Sequence, residues 1–265
     1  MIATAVRAII QYRYFVLSAI RAEFRARTAR SRFGLVWIIA QPLAQVIIFS
    51  LILSQVMKGR LPGMENQHAY IIYLLAGIAA WSLFADTFSR SLTLFIDHAA
   101  SLKKISFPKM TLPIVGAGIA LINNLIFQAL MFAGFAALGH WPGWSILWMP
   151  FLTLLCIALG LSLGLFFGIL NVFIRDIGQG AQLALQFGFW LTPIVYHVDM
   201  VPGALRAVLP FNPVTAIVDA FHAALAYGVA PAWSSMAIVT GVVILFSSLT
   251  VALWRKAASE LVDVL

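Results

Sequence analysis

From Leu35 to Met57 the chain runs without a charged residue. That run restricts the fold more than any other feature, because about 20 apolar residues in a helix span the roughly 30 Å hydrocarbon core of a bilayer. A helix also closes its own backbone hydrogen bonds, as lipid requires. Five further runs, 69–85, 111–138, 145–171, 180–196 and 235–254, are equally free of charge and are separated by Gly, Pro or charged residues. The composition agrees, since 62% hydrophobic and 10% charged residues depart far from the about 25% charge of a soluble domain. The expected fold class is therefore an all-α integral membrane protein with six transmembrane helices and a single domain over 1–265. A seventh apolar piece, Pro213 to Tyr227, holds Asp219 and His222 and is short for a crossing. It reads as part of an external re-entrant region of short helices over 197–230, between spans five and six, punctuated by Pro202, Pro210, Pro213, Gly203 and Gly228.

The positive charges set the orientation. With six spans, fourteen of the Lys and Arg residues fall on one side, and only Lys58, Arg60 and Arg206 on the other. Positive charge stays cytoplasmic, so both termini are expected inside the cell. The formal charge of +8 follows from this asymmetry, and no nucleic-acid partner is expected. The first residues are rich in Arg and lack a cleavable apolar core, so the first span is expected to be retained.

Residues 1–33 read as an amphipathic interfacial helix. Val6, Ile9, Ile10, Val16, Leu17, Ile20 and Phe24 fall within an arc of roughly 120°, opposite Arg7, Gln11, Ser18, Arg21 and Arg25. Such a helix lies along the cytoplasmic leaflet in contact with membrane lipid, and its Arg face is suited to docking a soluble partner. The single cysteine, Cys156, excludes an intrachain disulfide, and the five histidines lack metal-ligand spacing, so no metal is expected.

Three segments carry a resemblance. Thr28 to Pro42, TARSRFGLVWIIAQP, precedes and opens the first span with Ser31, Gly34, Trp37 and Pro42. LNVFIRDI, from Leu170 to Ile177, places Asn171 before Arg175 and Asp176 in the loop between spans four and five. LTPIVY, from Leu191 to Tyr196, contributes Pro193 and Tyr196, and PFNPV, from Pro210 to Val214, contributes Asn212 and Pro213. Together they resemble the membrane (permease) subunits of type-2 ABC polysaccharide exporters, the O-antigen and capsule (Wzm/KpsM-like) branch.

That resemblance implies a transport subunit of the bacterial inner membrane, a homodimer paired with two copies of a nucleotide-binding ATPase subunit. It implies a channel for a lipid-linked polysaccharide, O-antigen first and capsule next. ATP and Mg would be held by the partner, with no cofactor in this chain. A G-x-x-x-x-G-K phosphate loop is absent from the sequence, which agrees with energy from elsewhere. In the family the loop after span two inserts into the ATPase. Here it reads DHAASLKKISFPKM, with Ile105 and Phe107 as apolar anchors, Lys103 and Lys104 for charge, and Pro108 ending its helix. Arg21, Arg25, Arg175 and Asp176 complete the expected coupling set, Arg175 and Asp176 either as a latch or as a solvated helix end.

Inside the spans, Gly160, Gly164 and Gly168 recur at every fourth residue and read as a close-packing stripe. Asn123, Asn124, Gln128, Gln182 and Gln186 need partners within the membrane. They serve either as interhelical hydrogen bonds or as the lining of a glycan pathway. Trp37, Tyr73, Trp81, Trp190 and Gln186 are the candidates for that lining. Other readings are an exporter of another lipid, teichoic acid or a drug, a secondary transporter, or a membrane glycosyltransferase. The nine acids are dispersed, which disfavours a glycosyltransferase, and the spans carry almost no interior charge, which disfavours ion coupling.

Overall fold

The structure, a computed structural model, describes residues 12–29, 68–103 and 111–264, with isolated positions between 36 and 48. The expected first span therefore lies almost wholly outside the described residues. So do Ser31, Gly34, Trp37, Pro42, Lys104, Ile105, Phe107 and Pro108. Among the described residues every regular element is helical.

The first helix, α1 (Arg13–Ala29), has Val16, Ile20 and Phe24 on one face, spaced four apart, and that face packs on Ile119, Val115 and Ile122 of α3 (Thr111–Ala137). The approach is close: a Cβ on Gly118 of α3 would stand 2.6 Å from Ile20 Cδ1. The apolar arc read from the sequence is thus partly spent on protein.

At the centre is α2 (Ala69–Asp97), 29 residues long. It lies against α4 (Met149–Phe173), which a 3-10 segment, Gly143–Trp148, leads into. The glycine stripe sets that distance. A Cβ on Gly160 would meet Thr87 Cβ at 2.9 Å, one on Gly164 would meet Ser91 Cβ at 2.6 Å, and one on Gly168 the Ser91 carbonyl at 2.5 Å. Small residues on both helices, Gly on α4 and Ser or Thr on α2, let the backbones touch, and dispersion rather than hydrophobicity holds such a pair in lipid.

Three further helices pack around this pair. They are α5 (Asp176–Leu191), α6 (Pro213–Phe221), which continues as a π turn, His222–Ala226, and α7 (Trp233–Val264). Ile217, Val218, Phe221, Ala224 and Leu225 are buried in the main core with α2 and α4.

Among the described residues, four helical runs are long and apolar enough to cross a membrane: α2, α3, Gly143–Phe173, and α7 over Trp233–Ala257. The boundaries of two expected runs differ from expectation. The run expected over 180–196 is a 16-residue helix over Asp176–Leu191, about 24 Å long. It stops early because Pro193 pushes Thr192 into extended backbone, φ −96° and ψ 137°. The run expected over 69–85 continues to Asp97, so Asp86 and Arg90 stand inside a helix. The near absence of charge within spans, read from the shorter boundary, is corrected accordingly. The two are satisfied locally: Arg90 Nε donates to Asp86 Oδ1 at 2.8 Å, and Asn123 Nδ2 donates to Asp86 Oδ2 at 3.0 Å.

Candidate functional site

Two polar regions lie at opposite ends of α2. At the Ala69 end, its tyrosines fasten the chain that leaves α5. Tyr70 donates to the Val195 carbonyl at 3.0 Å, and the Tyr73 hydroxyl faces the carbonyls of Pro193 and Tyr196 at 3.1 and 3.2 Å. Residues 192–196 are non-helical, so their carbonyls need such donors once they are buried. Tyr196 in turn donates to the Trp190 carbonyl at 3.0 Å.

The segment Asn212-Pro213 opens α6 by a simple rule. Asn212 caps the helix, its Oδ1 accepting from Val214 N at 3.0 Å, and Pro213 fills the first turn, where no N–H is needed. The same Asn212 donates through Nδ2 to Thr192 Oγ1 at 3.1 Å. One side chain therefore joins the LTPIVY and PFNPV segments.

Farther along, the His222 ring stacks on Tyr73 with centroids 3.6 Å apart. A Cβ on Gly77 would come within 2.7 Å of His222 Nε2. Burial pushes the His222 imidazole down to about 3 and the Asp219 carboxyl up to about 6, so His222 is neutral when it stacks. The helix ends at Ala226, so its last carbonyls need partners from elsewhere. Ser145 Oγ donates to the Ala224 carbonyl at 2.6 Å, and His140 Nε2 lies 2.8 Å from the Leu225 carbonyl. Gly228, at φ +67°, turns the chain out of this knot, with the Pro142 carbonyl 3.2 Å from where a Cβ would stand.

At the Asp97 end, Asn171 is 4% exposed and donates through Nδ2 to the Leu92 carbonyl at 3.2 Å. A Cβ on Gly178 would lie 2.5 Å from Asn171 Oδ1, so the amide wedges the start of α5 against α2. A second approach occurs at Gly188, where a Cβ would lie 3.1 Å from Trp81, whose ring also meets Phe189 edge-on at 5.8 Å. Between these contacts α5 stands off α2 and leaves a cleft of about 560 Å³, lined by Leu92, Thr93 and Ile96 on one side and by Arg175, Gln179, Gln182 and Gln186 on the other.

The expected site residues divide as follows. Arg21, Arg25, Lys103, Arg175 and Asp176 are exposed. Arg175 is the N-cap residue of α5, and Asp176 is in its first turn, the position where an acid complements the helix dipole. Gln186 and Trp190 are exposed, Trp190 at 62%. Tyr73 departs from its expected place in a pathway lining: it is 2% exposed, and both its ring and its hydroxyl are engaged in the core. Trp81 is half-buried against α5. Asn124 and Gln128 bond between helices, Asn124 Nδ2 to the Ala79 carbonyl at 2.9 Å and Gln128 Nε2 to Thr153 Oγ1 at 3.4 Å. Sequence reading missed Tyr70, Thr192 and Gln179. Gln179 was in reach, being three residues before Gln182, had the helix been started at Asp176.

These features define a polytopic helical membrane protein whose polar motifs fasten short helices at one end and line a cleft at the other. The chain belongs to the ABC-2 type transporter membrane family, whose sequence pattern matches residues 14–226, and it is a multi-pass membrane transport subunit. It is 28% identical over 197 residues to an O-antigen export system permease protein RfbA of Klebsiella pneumoniae, covering 74% of each chain. It is 24% identical over 220 residues to the RfbA permease of Myxococcus xanthus, covering 82% of each.

Proposed function

We propose that this chain is the membrane subunit of an ATP-driven exporter that moves a lipid-linked polysaccharide, O-antigen first and capsule next, across the bacterial inner membrane. The observation that supports it is family membership together with relatives named O-antigen export permeases, aligned over about three quarters of both lengths. In this reading the chain works as a homodimer with two copies of an ATPase subunit, which holds ATP and Mg. The chain itself carries no ATPase site. Both termini and the 97–110 loop are cytoplasmic, six spans cross the membrane with 35–57 as the first, and the short helices of 197–230 form an external re-entrant region. Arg21, Arg25, Lys103, Lys104, Ile105, Phe107, Pro108, Arg175 and Asp176 couple the permease to the ATPase. Trp37, Trp81, Trp190 and Gln186 face the glycan.

The deciding experiment is co-purification of the tagged chain with the ATPase encoded beside it, combined with surface display of the polysaccharide in cells that lack the chromosomal copy. A stable complex, and display restored by the chain with normal intracellular glycan assembly, is the expected result. A chain that purifies alone and restores nothing overturns the proposal.

A further inference from the structure

The cleft between α2 and α5 has a composition that packing alone does not explain. Arg175, Gln179, Gln182 and Gln186 project from α5 within about 60° of arc at 100° per residue. They form a continuous polar stripe, flanked within the cleft by Leu183, on a helix that otherwise presents Phe187, Trp190 and Leu191 to its surroundings. Amides in a membrane helix normally bond to a neighbouring helix, as Asn124 and Gln128 do here. The α5 amides instead face a cleft whose opposite wall is Leu92, Thr93 and Ile96. No carboxylate lines this cleft, and Arg175 is its one charged group among the described residues. The volume, about 560 Å³, is that of an ordinary small-molecule site. Asn171–Gly178 and Trp81–Gly188 hold the two ends of this stretch of α5 against α2, about 15 Å apart along the helix, so the opening is built into the packing.

Resting on the exporter reading, we infer that this cleft is a subsite for a glycosyl phosphate, the phosphate-bearing end of a lipid-linked glycan. Arg175 binds the phosphate through paired N–H donors. The amides of Gln179, Gln182 and Gln186, each both donor and acceptor, bond the hydroxyls of the first sugars. An all-acceptor or all-donor wall would select one polarity, whereas an amide stripe matches hydroxyls in either role. The assignment gives Arg175 a ligand-binding role in addition to its place in the coupling set.

The test uses the single native cysteine to advantage. Cys156 is fully buried, so a maleimide reads only a cysteine introduced by Gln182→Cys, or by Gln179→Cys should the first variant fail to assemble with its ATPase. The full complex is placed in nanodiscs of phosphatidylethanolamine and phosphatidylglycerol. The probe is citronellyl-diphosphate-linked N-acetylglucosamine, compared with sugarless citronellyl diphosphate and with free N-acetylglucosamine. The expected result is slower labelling with the linked sugar alone. The concentration for half protection rises about tenfold on Arg175→Gln, the loss of one charged hydrogen-bond partner, and less on Arg175→Lys. If the probe stimulates ATP hydrolysis by the complex without protecting the cysteine, the exporter reading stands and the subsite falls. Equal protection by sugarless diphosphate makes the cleft a lipid-phosphate site and overturns the glycan assignment. Neither protection nor stimulation overturns both readings.

Discussion

Gly164 shows how a single missing side chain sets the spacing of two helices. Its absent Cβ would lie 2.6 Å from Ser91 Cβ and 2.7 Å from the Phe88 carbonyl, so even alanine must force α2 and α4 apart. Gly180, with nothing within 4 Å, is the matched control on an exposed face. Gly164→Ala is expected to cost about 1 to 3 kcal/mol, as overpacking typically does, seen as a fall of several degrees in the melting temperature of the detergent-solubilised chain, while Gly180→Ala raises it slightly through helix propensity. Equal melting of both variants would remove the close approach as a determinant. The stripe was legible from its four-residue period. Its partner was not, since nothing in the spacing of Gly160, Gly164 and Gly168 says that Thr87 and Ser91 receive them.

At the level of elements, Asn212 does two jobs that the sequence presents as one. Its place before Pro213 is a recognisable helix start, but its bond to Thr192, twenty residues earlier, appears only when the chain has folded back. Asn212→Ala is expected to lose about 1 kcal/mol of capping and also to loosen the 192–196 segment. The measurement is backbone hydrogen exchange: protection should fall both at Val214 and in peptides covering 192–196. Loss confined to the first turn of α6 would mean that the Thr192 bond contributes nothing. The early end of α5 belongs here as well. Pro193 gave the signal, yet charge-free residues on both sides made 180–196 look continuous, because hydropathy is blind to the backbone break that a proline imposes.

For the whole molecule, orientation is the property on which every functional assignment turns. Phe211 is 86% exposed beside α6, and Lys103 is exposed beyond the other end of α2. Phe211→Cys should react with a membrane-impermeant maleimide in intact spheroplasts, and Lys103→Cys only after permeabilisation. The reverse pattern would invert the topology and place the 97–110 loop out of reach of a cytoplasmic ATPase. Under the proposed topology, Lys103→Glu combined with Arg21→Glu is expected to reduce recovery of the ATPase partner severalfold while membrane abundance of the chain is unchanged. Recovery at the wild-type level would exclude these residues from the docking surface.

By itself the sequence determined that the chain lives in lipid, roughly where most helices run, that its charge is lopsided, and that glycines, prolines and an Asn-Pro pair punctuate it at defined points. These properties are local: they follow from side-chain polarity, period and backbone restriction within a few residues. Only the tertiary structure decided that Tyr73 is a core clamp rather than a pathway wall, that Asp86 and Arg90 sit paired within a helix beside Asn123, and that Gln179, Gln182 and Gln186 face a cleft while Asn124 and Gln128 do not. A polar residue in an apolar helix must satisfy its hydrogen bonds. Its own sequence states that need, and the neighbouring helix determines how it is met.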